Sequence, residues 1–335
     1  MQYLSLGSPA SLDTLTISTG EPKAPVAGEV QVRVLASSLN YHDYLVVTGL
    51  LPTGTARIPM SDAAGEVLAV GEGVTEFSAG DRVMSHFFPN WVDGVAALEK
   101  LQGVPGDHID GFASQIVTMP VAAFSRVPAY MSFAEAATLP CAGLTAWRAL
   151  MEEASLSEGD SVLVQGTGGV SLFALQIAKH LGCRVIATSS SDEKLAKLRE
   201  LGADEVINYR TQPEWGRLAT EMTDGGVDLV VEVGGPGTVT QSVRALRIGG
   251  TISMIGVLTG ISGEVPLAEF FQRNAVMAGI TVGSHEHQQS MINAFESWQL
   301  KPVIDSSFDL SELAAAFRHQ ESQKHFGKIV VDLHE

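Results

Sequence analysis

The sequence predicts an α/β protein in which a β-rich first part precedes a doubly wound parallel sheet. Three observations carry that prediction. Val30, Val32 and Val34 alternate with Gln31 and Arg33, the two-residue period of a half-buried strand. From residue 161 onward, short buried apolar runs alternate with helical ones, an order that requires parallel strands joined by crossover helices. A glycine-rich turn, Gly166-Thr167-Gly168-Gly169, joins the first of those strands to the first of those helices.

Taken in order, the elements follow from local chemistry. The apolar run Val67 to Val70 stops at Gly71-Glu72-Gly73, a turn signal, and Phe77 to Val83 reads as a turn feeding a short strand. Residues 86 to 111 read as loop, because Pro89, Asn90, Gly94, Gly103, Pro105 and Gly106 interrupt any long period. Ser132 followed by Glu135 is a capping-box helix start. Val162-Leu163-Val164 is a buried strand, and Leu172 to Leu181 is an apolar helix ended by Gly182. Arg184 to Thr188 is the next strand. Leu195, Leu198 and Leu201 then mark a helix stopped by Gly202. Glu205 to Tyr209, Val227 to Val233 and Gly250 to Gly256 supply three further strands. The pattern weakens after residue 265, and Phe326 to Val331 reads as a last strand returning to the first domain.

Composition narrows the partners. The 335 residues suggest two domains, and a chain 45% hydrophobic and 18% charged has ample core material and excludes disorder, a coiled coil or a collagen-like fibre. A net charge of −17 repels phosphate backbones and anionic lipid, which argues against nucleic acid and membrane partners. Cys141 and Cys183 are too few for a disulfide framework. No basic-then-apolar leader opens the sequence, and no apolar stretch reaches the roughly 20 residues of a membrane span. The expectation is a soluble, cytoplasmic protein.

The Gly-rich turn is a nucleotide-site signal. Gly166, Thr167, Gly168, Gly169 and Val170 lie between strand and helix, where backbone amides can meet a pyrophosphate. Ser171 takes the place of the usual third glycine. An NAD-type site places an acid about 20 residues beyond the first glycine, at the end of the second strand. This chain has Ser189 and Ser190 there, with Lys194 just beyond, a set that suits the 2′-phosphate of NADPH. The serines also read as caps for the following helix, and Lys194 as a surface charge.

Further motifs then identify a relationship. Ser38-Leu39-Asn40-Tyr41-His42-Asp43, Asp62-Ala63-Ala64-Gly65-Glu66-Val67, Ala79 to Val83, Leu139 to Trp147, Leu201 to Asp204, Ile207 to Arg210 and Gly327 to Val330 span nearly the whole chain. In that order they resemble the medium-chain dehydrogenase/reductase superfamily, in its zinc-independent, quinone oxidoreductase-like branch. The resemblance implies a GroES-like β-rich catalytic domain at 1–127, with 266–335 returning to it, and a Rossmann domain at 128–265. It also implies a nicotinamide in the cleft between them, and a homodimer. On the cofactor side it places Thr145 near the nicotinamide ribose, Tyr209 near the 2′-phosphate and Gly234 below the diphosphate. Gly256, Val257 and Gly283 would approach the carboxamide.

At the positions that match the zinc ligands of alcohol dehydrogenases stand Asn40, Ser61 with Asp62, and Cys141. One thiol remains, so no metal is expected, and Cys141 reads as a small buried residue. His285 and His287 read as loop or cleft histidines. Without a Lewis acid or a Tyr-x-x-x-Lys pair, reduction of a plain carbonyl lacks an electrophile, whereas hydride added to a conjugated alkene gives a delocalised enolate. The branch implies NADPH-dependent reduction of conjugated carbonyls or quinones. Candidate catalytic residues are Asn40, Tyr41, Asp43 and Tyr44; Asn40 would bond ribose or substrate, either tyrosine would stabilise or protonate the enolate, and Asp43 would orient its neighbours. After Gly49, where relatives carry a tyrosine donor, stand Leu50 and Leu51. Trp91, Phe112 and Trp147 are pocket or core. Two other readings stay open: an NADP-dependent alcohol or carbonyl oxidoreductase, and a non-catalytic, crystallin-like NADPH-binding protein.

Overall fold

The alternating valines form the middle of a β-sheet in the computed structural model, which describes residues 1–333. Val30, Val32 and Val34 face the core while Arg33 faces out, as the period of two requires. Two units divide the chain, residues 1–144 with 283–335 and residues 145–282.

The first unit opens with a two-stranded ribbon, β1 (Gln2–Ser5) and β2 (Thr16–Thr19). It continues through β3 (Glu29–Ser38), α1 (Tyr41–Val47), β4 (Asp62–Val70), β5 (Arg82–Ser85), β6 (Ile116–Pro120), β7 (Phe124–Arg126) and α2 (Phe133–Ala136). Residues 86–111 contain no helix or strand of their own, as their breakers predict. Ser132 caps α2: the Glu135 N–H donates to its hydroxyl at 3.2 Å, and its own N–H donates to the Glu135 carboxylate at 2.7 Å.

The second unit begins within α3 (Leu144–Trp147). It then runs β8 (Ser161–Gln165), α4 (Gly169–His180), β9 (Arg184–Ser189), α5 (Asp192–Glu200), β10 (Glu205–Asn208), α6 (Trp215–Met222), β11 (Val227–Glu232), α7 (Val239–Ala245), β12 (Leu246–Met254), α8 (Leu267–Gln272) and β13 (Val276–Gly279). All six strands are parallel, in the order β10-β9-β8-β11-β12-β13. The chain winds outward from β8 through β9 to β10, then restarts on the other side of β8 with β11. The order therefore reverses between β8 and β11, the place where open α/β sheets leave a crevice at their C-terminal ends. Leu163, Ile186, Val230 and Ile252 fill the core beneath.

The chain then re-enters the first unit through α9 (His285–Trp298), β14 (Ile304–Asp309), α10 (Leu313–Glu321) and β15 (Lys328–Asp332). β15 lies antiparallel to β3, with Val330 opposite Ser38, and completes a seven-stranded sheet ordered β14-β15-β3-β4-β5-β7, with β6 also on β3. Both unit boundaries fall later than the 127/128 and 265/266 expected from sequence. Residues 128–144 stay with the first unit because α2 packs on β3 and β4, and Ser38 Oγ donates to the Ala137 carbonyl at 2.9 Å. Residues 266–282 stay with the second because β13 extends its parallel sheet. Among the described residues, no helix is long and apolar enough to cross a membrane.

Candidate active site

In the second unit, the predicted nucleotide residues gather at the C-terminal ends of the strands. β8 ends at Gly166, whose φ of +71° needs glycine, and a Cβ there or on Gly168 would meet nothing within 4 Å. Gly168 is the N-cap of α4, and Gly169 and Val170 are its first residues, so the turn presents backbone amides to open space. Ser171 suits the third-glycine position: it is buried, and its hydroxyl donates to the Gln165 carbonyl at 2.6 Å.

Ser189 closes β9, in the place where an NAD-type site holds its acid. Ser191 alone caps α5, accepting from the Lys194 N–H, so neither Ser189 nor Ser190 is needed for the cap. Asp192 stands nearby, but its carboxylate is held by the Asn208 amide at 2.7 Å. Tyr209 follows β10, and its N–H donates to the Ser189 carbonyl at 3.1 Å, which places Lys194 and Tyr209 on the elements flanking Ser189. Gly256 follows β12, where a Cβ would come within 2.2 Å of the Val233 carbonyl oxygen; Val257 beside it is partly exposed. Gly234 follows β11. Thr145 is buried at the start of the unit, and Gly283 lies in the first unit.

A buried polar cluster occupies the first unit around Asn40. The Asn40 N–H donates to Asp43 Oδ2 at 2.9 Å, and the Ser61 N–H donates to Asp43 Oδ1 at 2.9 Å. Asp43 thus ties the loop before α1 to the loop before β4. Asn40 Nδ2 donates to Ser61 Oγ at 3.2 Å, while Asn40 Oδ1 accepts from Lys328 Nζ at 2.6 Å. Lys328 Nζ also donates to the Leu39 carbonyl at 2.6 Å, and this lysine is only 4% exposed. Asp62 is fully buried; burial pushes its pKa up to about 7, against the pull of Lys328 and Asn40.

The residues at the zinc-matched positions are a poor fit for that ion. They offer one amide, one hydroxyl, the buried carboxyl of Asp62, which burial holds toward its neutral form, and the half-buried Cys141, and Asn40 Oδ1 already accepts from Lys328. Among the described residues, no group of three His, Cys, Asp or Glu side chains is arranged to hold a metal.

The tyrosines divide. Tyr41 is 38% exposed and stacks on Tyr44 with ring centroids 5.9 Å apart. The Tyr44 hydroxyl donates to Glu321 at 3.0 Å, and burial and that carboxylate both raise its pKa. His42, between them, is a functional candidate that sequence reasoning passed over. Burial alone would lower its pKa, but Asp107, 3.2 Å from Nε2, and Asp43 more than offset this and hold it at about 9. The folded value lies above the ordinary 6.5, so the stabilisation is complete below about pH 6.5 and is lost as pH rises through about 9. The contribution is on the order of 3 kcal/mol. Melting temperatures measured from pH 6 to 10 should fall across that window, and the fall should be smaller in His42→Gln.

Of the two readings open for Trp91, Phe112 and Trp147, burial favours core: all three are buried, and Trp91 Nε1 donates to the Gly94 carbonyl at 2.9 Å. Two expectations change. His285 and His287 start a helix rather than lie in a loop: Ser284 caps α9, and His285 stacks on His86 at 3.6 Å. Cys141 is half-buried, in the π-helical turn Leu139–Gly143, rather than fully enclosed.

Comparison with known proteins agrees with this architecture. Residues 26–129 match the alcohol dehydrogenase GroES-like domain, and residues 169–297 match the zinc-binding dehydrogenase family. The zinc-type alcohol dehydrogenase-like protein C1773.06c of Schizosaccharomyces pombe is 41% identical over 91% of each chain. Acryloyl-coenzyme A reductase of Metallosphaera sedula is 28% identical over 93% of this chain and 94% of its own. Among solved structures, an NAD-dependent alcohol dehydrogenase superposes with a TM-score of 0.91 at 32% identity over the full length of both chains. The 2-octenoyl-CoA carboxylase reductase CinF, in complex with NADP and 2-octenoyl-CoA, gives 0.87 at 26% identity, covering 99% of this chain and 87% of that one. The chain belongs to the medium-chain, zinc-type alcohol dehydrogenase-like family. It is an oxidoreductase with a GroES-like domain and a Rossmann domain, and nicotinamide nucleotides are the cofactors of its family.

Proposed function

We propose that the protein is an NADPH-dependent reductase of conjugated carbonyl compounds or quinones that works without a metal. The observation that carries this reading is the hydrogen bond from Lys328 Nζ to Asn40 Oδ1, which gives the amide oxygen at a zinc-matched position a proton donor as its partner. Ser189, Ser190, Lys194 and Tyr209 would hold the 2′-phosphate, and the amides of Gly166 to Val170 the diphosphate. Two relatives support the acceptor class: the acryloyl-coenzyme A reductase, by its name, and CinF, whose structure holds NADP with an unsaturated thioester.

When bound, NADPH supplies the hydride. The chain's own residues then manage charge. Hydride arriving at the β-carbon leaves an enolate, whose oxygen needs one or two hydrogen-bond donors rather than a Lewis acid. The exposed Tyr41 hydroxyl takes that role, since the Tyr44 hydroxyl is committed to Glu321. His42 keeps its proton through neutral pH and adds a positive charge one residue away along the chain.

Loss of NADPH absorbance with an enone, a quinone and a plain ketone tests the proposal, together with metal analysis of the same preparation. Turnover on the enone or quinone should exceed that on the ketone by about 100-fold, corresponding to about 2.7 kcal/mol of barrier. Zinc should be well below one per chain. The names alcohol dehydrogenase among the relatives favour a second reading, and one zinc per chain with alcohol oxidation would establish it instead. Tight NADPH binding without turnover would point to the non-catalytic alternative.

A further inference from the structure

We propose that Glu232 is a positioning residue for the nucleotide: its buried carboxylate locks the two loops that diverge at the β8–β11 crevice into one preformed unit. The inference deepens the nucleotide-site reading and rests on it. At that crevice the chain leaves β8 toward β9 and leaves β11 toward β12, in opposite directions, so no backbone ladder ties the loops together. The tie is made by the last residue of each strand. Gln165 Nε2 donates to Glu232 Oε2 at 2.8 Å and to Ser242 Oγ at 2.7 Å, and the Ser242 hydroxyl donates to the same Oε2.

The other carboxylate oxygen faces the loop after β11. Glu232 Oε1 accepts from the Gly234 N–H at 2.7 Å, the Gly235 N–H at 2.9 Å and the Thr238 hydroxyl at 2.6 Å. Gln165 Oε1 accepts from the N–H groups of Gly234 at 3.3 Å and Val233 at 3.4 Å. Glu232 is 0% exposed, and its two oxygens take five donors, more than the roughly four lone-pair sites of a carboxylate, so none is left unpartnered.

Two consequences follow for the nucleotide. The amides of Gly234 and Gly235 point inward to Glu232, so they are not free to donate to a diphosphate; Gly234 shapes the crevice instead of binding phosphate. The diphosphate must then draw its amides from the Gly166–Val170 side alone. That side is held in place from Gln165, the residue before the turn. An isosteric amide at 232 cannot replace the anion. Its NH2 would face either Gly234, Gly235 and Thr238 or the Gln165 amide, and flipping Gln165 only moves the donor–donor clash to Val233 and Gly234.

The test is nucleotide binding by Glu232→Gln, followed by quenching of tryptophan fluorescence, with melting temperature and circular dichroism on the same samples. NADPH and ADP-ribose should both bind about tenfold more weakly, since a lost buried, charge-assisted hydrogen bond acts on both lips of the crevice. Adenosine 2′-monophosphate, which carries the 2′-phosphate and no part of the diphosphate, should bind as it does to the parent protein. The KM for the acceptor should stay within about threefold. A purely structural role would lower the melting temperature and leave the ratio of whole nucleotide to fragment unchanged. A folded variant with unaltered NADPH affinity overturns the proposal. Should Glu232→Gln fail to fold, Thr238→Val removes one donor from Oε1, and parental NADPH affinity there overturns it equally. If the unmodified protein binds neither NADPH nor NADH, it is the nucleotide-site reading that fails.

Discussion

Lys328→Met is expected to lower the melting temperature by roughly 10 °C, the largest stability effect any single substitution in the first unit should produce. The lysine is 4% exposed, and its nitrogen donates to the Leu39 carbonyl and to Asn40 Oδ1, both at 2.6 Å. Methionine fills the same volume and supplies no donor. It leaves two buried acceptors unpaired and removes the cation that restrains the buried Asp62. Breaking one side of such a buried pair typically costs about 3–5 kcal/mol.

The pH dependence gives the interpretation a sign. Asp62 in the folded protein has a pKa of about 7, above its unfolded value, so stability from this group is present below about pH 4 and is lost as pH rises through about 7. Without Lys328 the carboxyl is still harder to ionise, so the deficit of Lys328→Met should be larger at pH 8 than at pH 5. Adding Asp62→Asn should recover part of it. Thermal denaturation of the two variants at both pH values is the measurement; a Lys328→Met protein that melts like its parent would sink the argument.

Ser189→Asp is expected to reverse coenzyme preference, with the ratio of NADPH to NADH affinity falling by about 100-fold or more. The serine closes β9 and is nearly buried, and its hydroxyl accepts from the Ser191 N–H at 3.3 Å. An aspartate carboxylate can accept the same bond, so the local fold should tolerate it. Two like charges about 4 Å apart repel by about 4 kcal/mol at the effective dielectric of a protein surface, which opposes a 2′-phosphate, while the carboxylate welcomes a 2′-hydroxyl. Titration of both nucleotides against both proteins decides the matter, and an unchanged ratio would remove the 2′-phosphate assignment.

Features set by short-range chemistry were legible from residue order. The β8 turn, the Ser132 cap, the β-α-β alternation and the last strand all depend on neighbours a few positions apart. What the sequence could not display was where buried charges find partners. Lys328 and Asn40 lie 288 positions apart and meet only because β15 pairs with β3. A signal was present, a lysine beginning an apolar strand, but its destination depends on sheet order. Glu232 left a similar trace, the acid that interrupts the apolar end of the run Val227 to Val233, and its role emerges only once β8 and β11 are neighbours. The unit boundaries moved for the same reason, since helix-on-sheet and strand-edge contacts have no local signature. The loop reading of His285 and His287 gives way to a helix start because Ser284 is a good N-cap.

The insertion of one unit inside the other has a consequence for biosynthesis. The Rossmann portion is continuous in sequence, so it can acquire its structure as soon as it emerges from the ribosome. The GroES-like portion cannot: β3 and Asn40 must wait for β15 and Lys328, a delay of roughly 15–60 s at typical elongation rates of about 5–20 residues per second. During that interval the Ala36–Ser38 end of β3 is an unsatisfied strand edge and Asp62 has no counter-charge, so the nascent N-terminal half is the segment with most need of chaperone protection.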